Sequence, residues 1–229
     1  APPALYYLDV RAAGSPDIVA TFEADLSGLG GGAATVFASG LLGVEPGFGL
    51  FAALPDGTVA EFPAASVARV QIIHNSPSPT VDIYANGALF EDDFAFRTAT
   101  AFQTLPAGVE LNIGVALGTS TSVADTLVNF PVTFENGKTY VVIANGIVGS
   151  EETPFTLAVT DMAQEASTDA AAVQFQAFHG SPGAPAVDVD ARTVGNLLSN
   201  LPYGSFSDGY LSAPPALYYL DVRAAGSPD

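Results

Sequence analysis

Apolar and polar residues alternate with a period of two along most of this chain. "ARVQIIH" (68–74), "TVDIYA" (80–85), "VELNIGVAL" (109–117), "TLVNFPVTF" (126–134) and "TYVVIANGI" (139–147) each read as a half-buried strand. No long stretch keeps the 3.6-residue period of a helix. Turn signals separate the strands: Asn86-Gly87, and Asn136-Gly137 within "FENGKTY" (134–140), which predicts a tight hairpin between two apolar runs. Seven or eight short strands per hundred residues predict an all-β chain of tandem antiparallel β-sandwich domains, immunoglobulin-like or Greek-key in type, with no long helices.

Two repeats organise these strands. "APPALYYLDVRAAGSPD" opens the chain at residues 1–17 and recurs unchanged at 213–229, an offset of 212 residues. A weaker repeat lies inside it. "IIHNSPSPTVDIYANGALFEDDF" (72–94) corresponds to "AFHGSPGAPAVDVDARTVGNLLSNL" (177–201), and "LPAGVELNIGVALG" (105–118) to "SAPPALYYLDVRAAG" (212–226). The match resumes at the start of the chain, where 17–42 parallels 125–148 and "PGFGLFAAL" (46–54) parallels "TPFTLAVT" (153–160).

The expected organisation is one complete domain A at 66–166 and one split domain B. The first half of B is 167–229, and its second half, 1–65, belongs to the preceding repeat. The strand at both cut ends is the expected inter-repeat element: Leu5, Tyr6, Tyr7, Leu8 and Val10 in one copy, Leu217, Tyr218, Tyr219, Leu220 and Val222 in the other. Neighbouring strand residues face opposite sides, so one tyrosine of each pair should point to a core and the other to an interface.

Composition narrows the function. Apolar residues make up 48% of the chain but charged residues only 13%, about half the usual roughly 25%. With mean hydropathy at +0.34, this favours burial against neighbours. The 24 acids outweigh 6 bases for a net charge of −18, and with a single lysine the chain is unsuited to phosphate backbones or anionic bilayers. No apolar run is long enough to insert in a membrane. Without cysteine, neither disulfides nor thiol chemistry is available.

The chemistry-bearing residues read as structural. His74, Ser76 and Asp82, with His179, Ser181 and Asp188, are the residue types of a nucleophilic triad. However, His and Ser sit two apart at a strand end with no nucleophile-elbow pattern around the serine. They are expected to cap a Pro-rich turn, with Asp82 and Asp188 hydrogen-bonded to them. Asp92, Asp93, Asp188 and Asp190 are the candidate Ca²⁺ ligands, although no EF-hand loop is present and carboxylates alternating on a strand normally face solvent. No cofactor or catalytic residue is expected. "GLGGGAA" (28–34) lacks the Lys-Ser/Thr ending of a phosphate loop and reads as a turn.

An apolar strand, His-x-Ser-Pro, a short Pro-rich turn and Val-Asp-apolar occur in both "IIHNSPSPTVDIYANG" and "FHGSPGAPAVDVDA". These segments resemble the DUF4397 family, as do the later strands "LPAGVELNIGVA" and "FENGKTYVVIANG". The second copy departs from the pattern at Asp190, where the first has Tyr84, and at "LGGGA" (29–33), where the first has Asn-Gly. The resemblance implies a β-sandwich found in tandem in secreted or surface-attached microbial proteins, with no established enzymatic activity. The expectation is therefore a structural subunit or repeat of an extracellular filament or stalk, partnered by copies of itself and completed between successive repeats. The alternative is a surface adhesin that binds glycan or another surface ligand.

Overall fold

In a computed structural model of the chain, residues 2–14, 18–28 and 30–227 are described. The outer ends of the duplicated stretch (1, 15–17 and 228–229) and Leu29 of the expected glycine-rich turn lie outside them. The chain divides into two compact units with a boundary between Val67 and Ala68.

The first unit contains β1 (Leu5–Arg11), β2 (Ile18–Asp25), β3 (Thr35–Leu41), β4 (Val44–Ala53) and β5 (Val59–Phe62). β1 pairs with β2, and β3, β4 and β5 form a three-stranded antiparallel sheet in that order. Phe22 of β2 packs on Phe48 of β4 at 6.0 Å between ring centroids.

The second unit begins with a closed two-sheet sandwich, called the complete domain below. Its strands are β6 (Val67–His74), β7 (Val81–Ala85), β8 (Ala88–Phe94), β9 (Gln103–Pro106), β10 (Glu110–Leu117), β11 (Val128–Thr133), β12 (Thr139–Asn145) and β13 (Thr156–Thr160). They form two four-stranded sheets, β11-β10-β7-β8 and β13-β12-β6-β9. Alternate residues of both sheets meet in one core that includes Val70, Ile72, Ile83, Leu111, Ile113 and Val142, as the period-two pattern requires. The only helical element among the described residues is a 3-10 turn at Val123–Asp125.

Asn86 and Gly87 both adopt positive φ, at 47° and 85°, and join β7 to β8 as the expected two-residue hairpin. Asn136-Gly137 differs from expectation. β11 ends in one sheet and β12 begins in the other, so this turn crosses between sheets. The reason lies in its flanks: Phe134 and Tyr140 are both buried and pack together at 4.8 Å between ring centroids, and each is needed in the core. The sheets also contain one parallel pair, β6 with β12. Strand order departs from the immunoglobulin arrangement, since the first strand of the domain shares a sheet with its last two rather than with its second.

The second unit continues with β14 (Val173–Phe175), β15 (Val187–Ala191), β16 (Gly195–Leu201), β17 (Leu211–Ala213) and β18 (Leu220–Ala224). β14 pairs with β17, and β16, β15 and β18 form a sheet in that order. These pairings match β6 with β9 and β8-β7-β10 of the complete domain. Counterparts of β11, β12 and β13 are not among the strands of 173–224.

Candidate assembly surface

The two His-x-Ser-Pro turns have the same geometry. His74 Nε2 lies 3.0 Å from Pro79 O and His179 Nε2 lies 2.9 Å from Pro185 O. A carbonyl only accepts, so each Nε2 carries the proton. Each Nδ1 then accepts a backbone N–H, from Ser76 at 3.3 Å and from Ser181 at 3.4 Å. Both rings are buried, and burial lowers the pKa of His74 against the raising effect of its bond to Pro79 O. The Ser76 hydroxyl donates to Ser78 O and leaves Nδ1 to the backbone.

The aspartates do not join these turns as expected. Asp82 is 1% exposed; Oδ1 accepts the Asp93 N–H at 2.9 Å and Oδ2 accepts the Ser120 hydroxyl, which also meets Tyr84 OH at 2.8 Å. Asp188 likewise accepts N–H groups from Asn200 at 2.8 Å and Gly226 at 3.1 Å. Asp93 and Asn200 both have positive φ, 51° and 54°, in the strand beside their aspartate. The Val-Asp carboxylate therefore pins an irregularity in the neighbouring strand, a long-range role that sequence distance concealed.

Among the candidate cation ligands, Asp93 is tied to Asp82 through its backbone. The two N–H groups hold Asp188 below the usual carboxylate range, and Arg223 does the same for Asp190. Burial raises the pKa of Asp92, with Asp82 and Asp93 adding to it. Among the described residues no group of three or more His, Cys, Asp or Glu could hold a metal ion.

Sequence reasoning missed the contact between the two turns. Asn75, the variable residue of the first His-x-Ser-Pro, donates from Nδ2 to Gly180 O at 2.6 Å and to Asn145 Oδ1 at 3.0 Å. Gly180 is the variable residue of the second motif, and a Cβ there would collide with the Asn75 amide. The difference between "HNS" and "HGS" was the available signal: one member supplies a side chain and the other makes room for it. A further bond, Gln164 N–H to Tyr210 OH at 2.8 Å, ties the end of the eight-stranded sandwich to the strands that follow it.

Beyond this junction the sheet edges are uncovered. Ile113 of β10 is 9% exposed, whereas its counterpart Leu220 of β18 is 55% exposed and Val222 is 66% exposed. Val142 and Ile143 of β12 are buried between strands on both sides. In β3, Val36 is 52% exposed and Phe37 39% exposed.

The register shows what these exposed strands correspond to. Ile113 lies opposite Ala85 on one side and Phe130 on the other; Leu220 lies opposite Ala191, and its duplicate Leu8 lies opposite Phe22. β3 and β4 repeat β12 and β13 in the same way. Ala38 faces Leu50 as Ala144 faces Leu157, and Phe37 faces Phe51 as Ile143 faces Ala158. Phe22 with Phe48 repeats Phe130 with Phe155, at 6.0 and 5.9 Å between ring centroids.

The duplicated stretch keeps one local bond in both places, although the first copy is a strand from Leu5 to Arg11 and the second becomes one only at Leu220. Tyr6 OH donates to Pro2 O and Tyr218 OH to Pro214 O, at 2.7 and 2.9 Å. Tyr218 lines an apolar groove with Leu220, while Tyr219 is 63% exposed. Its charged residues change partners: Asp9 accepts from Arg11 and Thr21, whereas Asp221 pairs with Arg192 and Arg223 with Asp190.

Strand order, core and turns thus define a β-sandwich domain whose recurring feature is a His-x-Ser-Pro turn. A match over residues 68–190 to the domain of unknown function DUF4397 covers more than half of the chain, and the chain belongs to that family. A search of curated proteins found no match.

Proposed function

We propose that this chain is a structural repeat or subunit of an extracellular microbial filament or stalk, made of two tandem DUF4397 sandwiches per period. The second sandwich is shared between successive periods. The carrying observation is that 173–224 and 18–53 hold complementary strand sets with exposed apolar edges at the two places where the complete domain has neighbours.

Two further features support the reading. The Asn75–Gly180 interlock links the complete domain to the half that follows, which suits a body that must hold its direction. Exposed strand edges carrying Leu220, Val222, Val36 and Phe37 are an aggregation hazard unless a specific partner covers them. Each of these side chains is already part-buried, so covering it contributes about 1 kcal/mol, roughly half of what full burial gives. A head-to-tail contact between unlike surfaces does not close on itself and propagates as a fibre. The proposed role needs no catalytic residue, cofactor or metal, and its partners are copies of the chain at a cell surface.

Negative-stain electron microscopy across a concentration series tests this. Linear particles that lengthen with concentration are expected. A monodisperse globular monomer at every concentration would overturn the proposal.

A further inference from the structure

We infer that β2, β3 and β4 of a second copy fill the apolar groove of residues 173–224, in a register that the chain already displays. This rests on the filament reading above. The groove, about 290 Å³, is lined among others by Phe175, Leu197, Tyr218 and Leu220. In the complete domain, Phe130 and Val132 of β11 and Tyr140 and Val142 of β12 close the core. In a second copy, Phe22 and Ala24 of β2 and Val36 of β3 occupy those positions.

The backbone shows that one strand can serve both neighbours. Tyr219 O accepts the Arg192 N–H at 2.8 Å, towards β15. In the other copy of the same sequence, Ala4 O accepts the Leu26 N–H at 2.9 Å, towards β2. Tyr219, just before β18, corresponds to Tyr7 of β1, three residues from Ala4, which just precedes β1; carbonyls an odd number of residues apart along an extended run point to opposite edges. β15 and β2 therefore use opposite edges of one sequence. A single copy suffices to bind both, giving the four-stranded order β2-β18-β15-β16, which repeats β11-β10-β7-β8.

The register follows from β1 with β2: Leu220 opposite Phe22, Asp221 opposite Thr21 and Val222 opposite Ala20 of the second copy. Asp221 then keeps Arg192 on one side and gains the Thr21 hydroxyl on the other, the bond Asp9 receives at 2.9 Å. On the second sheet, β3 runs parallel to 173–179 as β12 runs parallel to β6. That places Phe37 opposite Phe178 and Ala38 opposite His179, as Ile143 faces Ile73 and Ala144 faces His74. Where β1 holds the site on β2 beforehand, β18 replaces it bond for bond. The net gain is the groove covered alongside.

The absence of cysteine makes the register directly testable. Full-length chain carrying Thr21→Cys and Asp221→Cys is oxidised and run on a non-reducing denaturing gel, beside an out-of-register control with Asp25→Cys and Asp221→Cys. Opposed residues of antiparallel strands lie roughly 4.5–5.5 Å apart at Cα, within disulfide range. A ladder of dimers, trimers and longer species is expected from the first variant, at least tenfold above the control. Filaments by microscopy without an in-register ladder would overturn this inference and leave the filament reading standing. Neither filaments nor a ladder would sink both. A disulfide confined to single chains would show closure in cis and overturn the inference.

Discussion

Asn75 fills the space that Gly180 leaves: its amide donates to the glycine carbonyl at 2.6 Å, and a Cβ on Gly180 would collide with it. The contact joins the differing positions of two His-x-Ser-Pro turns that lie 105 residues apart in the chain. It thus ties the two turns to each other, while the His and Ser of each motif serve their own turn.

Gly180→Ala should therefore weaken the junction without unfolding the sandwich core. A loss of about 1–3 kcal/mol is expected from overpacking, read as a lower denaturation midpoint. The double variant Asn75→Gly with Gly180→Ala should lose at least 0.5 kcal/mol less than the sum of the two single losses, on the order of the coupling found between residues in contact. Strict additivity in the four-variant cycle would show that the contact does not couple the two turns.

Lowering the pH should destabilise the domain that holds His74 in a window above the one in which Asp188 and Asp190 titrate. Burial holds the pKa of His74 below its ordinary value, so the unfolded chain takes up this proton at a higher pH than the folded one. The unfolded state binds more protons in that window, and stability therefore falls as pH drops below about 6.5. Asp188 and Asp190, whose pKa values are lowered, lose their contributions separately, below about pH 4. Urea midpoints between pH 7.5 and 5.5 should decline in the parent and flatten in His74→Gln. Equal slopes would refute the assignment.

Gly40 and Gly146 test the equivalence of β3–β4 with β12–β13. Both have positive φ, 84° and 89°, and a Cβ on either would collide with a carbonyl at matching positions, Gly47 O and Pro154 O. Each Gly→Ala change should cost about 3 kcal/mol or more, because strain and steric conflict add. Gly146→Ala should lower the thermal midpoint of the complete domain, and Gly40→Ala should shorten filaments seen by microscopy. Unchanged filaments with Gly40→Ala would mean that the β3–β4 segment is not needed in the assembled form.

Much was legible before any coordinates. Period-two alternation located β6, β7, β10, β11 and β12 within two residues at most boundaries, and Asn86-Gly87 its hairpin, because these depend on local sterics and on one buried face. The duplicated "ALYYLDV" likewise fixed its own turn, since Tyr6 and Tyr218 make the same bond four residues back. Asn136-Gly137 was misread because a turn signal reports only that the chain reverses. Whether the strands on either side pair is decided by Phe134 and Tyr140 reaching one core from two sheets.

The sequence by itself determined the strand-rich class and the pairing of His with its turn, both of which rest on neighbours a few residues apart, and it shows the duplicated 17-residue stretch directly. Only the tertiary structure decided that Asp82 and Asp188 reach across to an adjacent strand, that Asn75 enters the space beside Gly180, and that β6 lies parallel to β12. It also decided that Leu8 and Leu220, identical in local sequence, have different strands beside them. Each of these contacts joins residues far apart in the chain, and a local pattern carries no term for which distant edge arrives to satisfy a given N–H, carboxylate or apolar face.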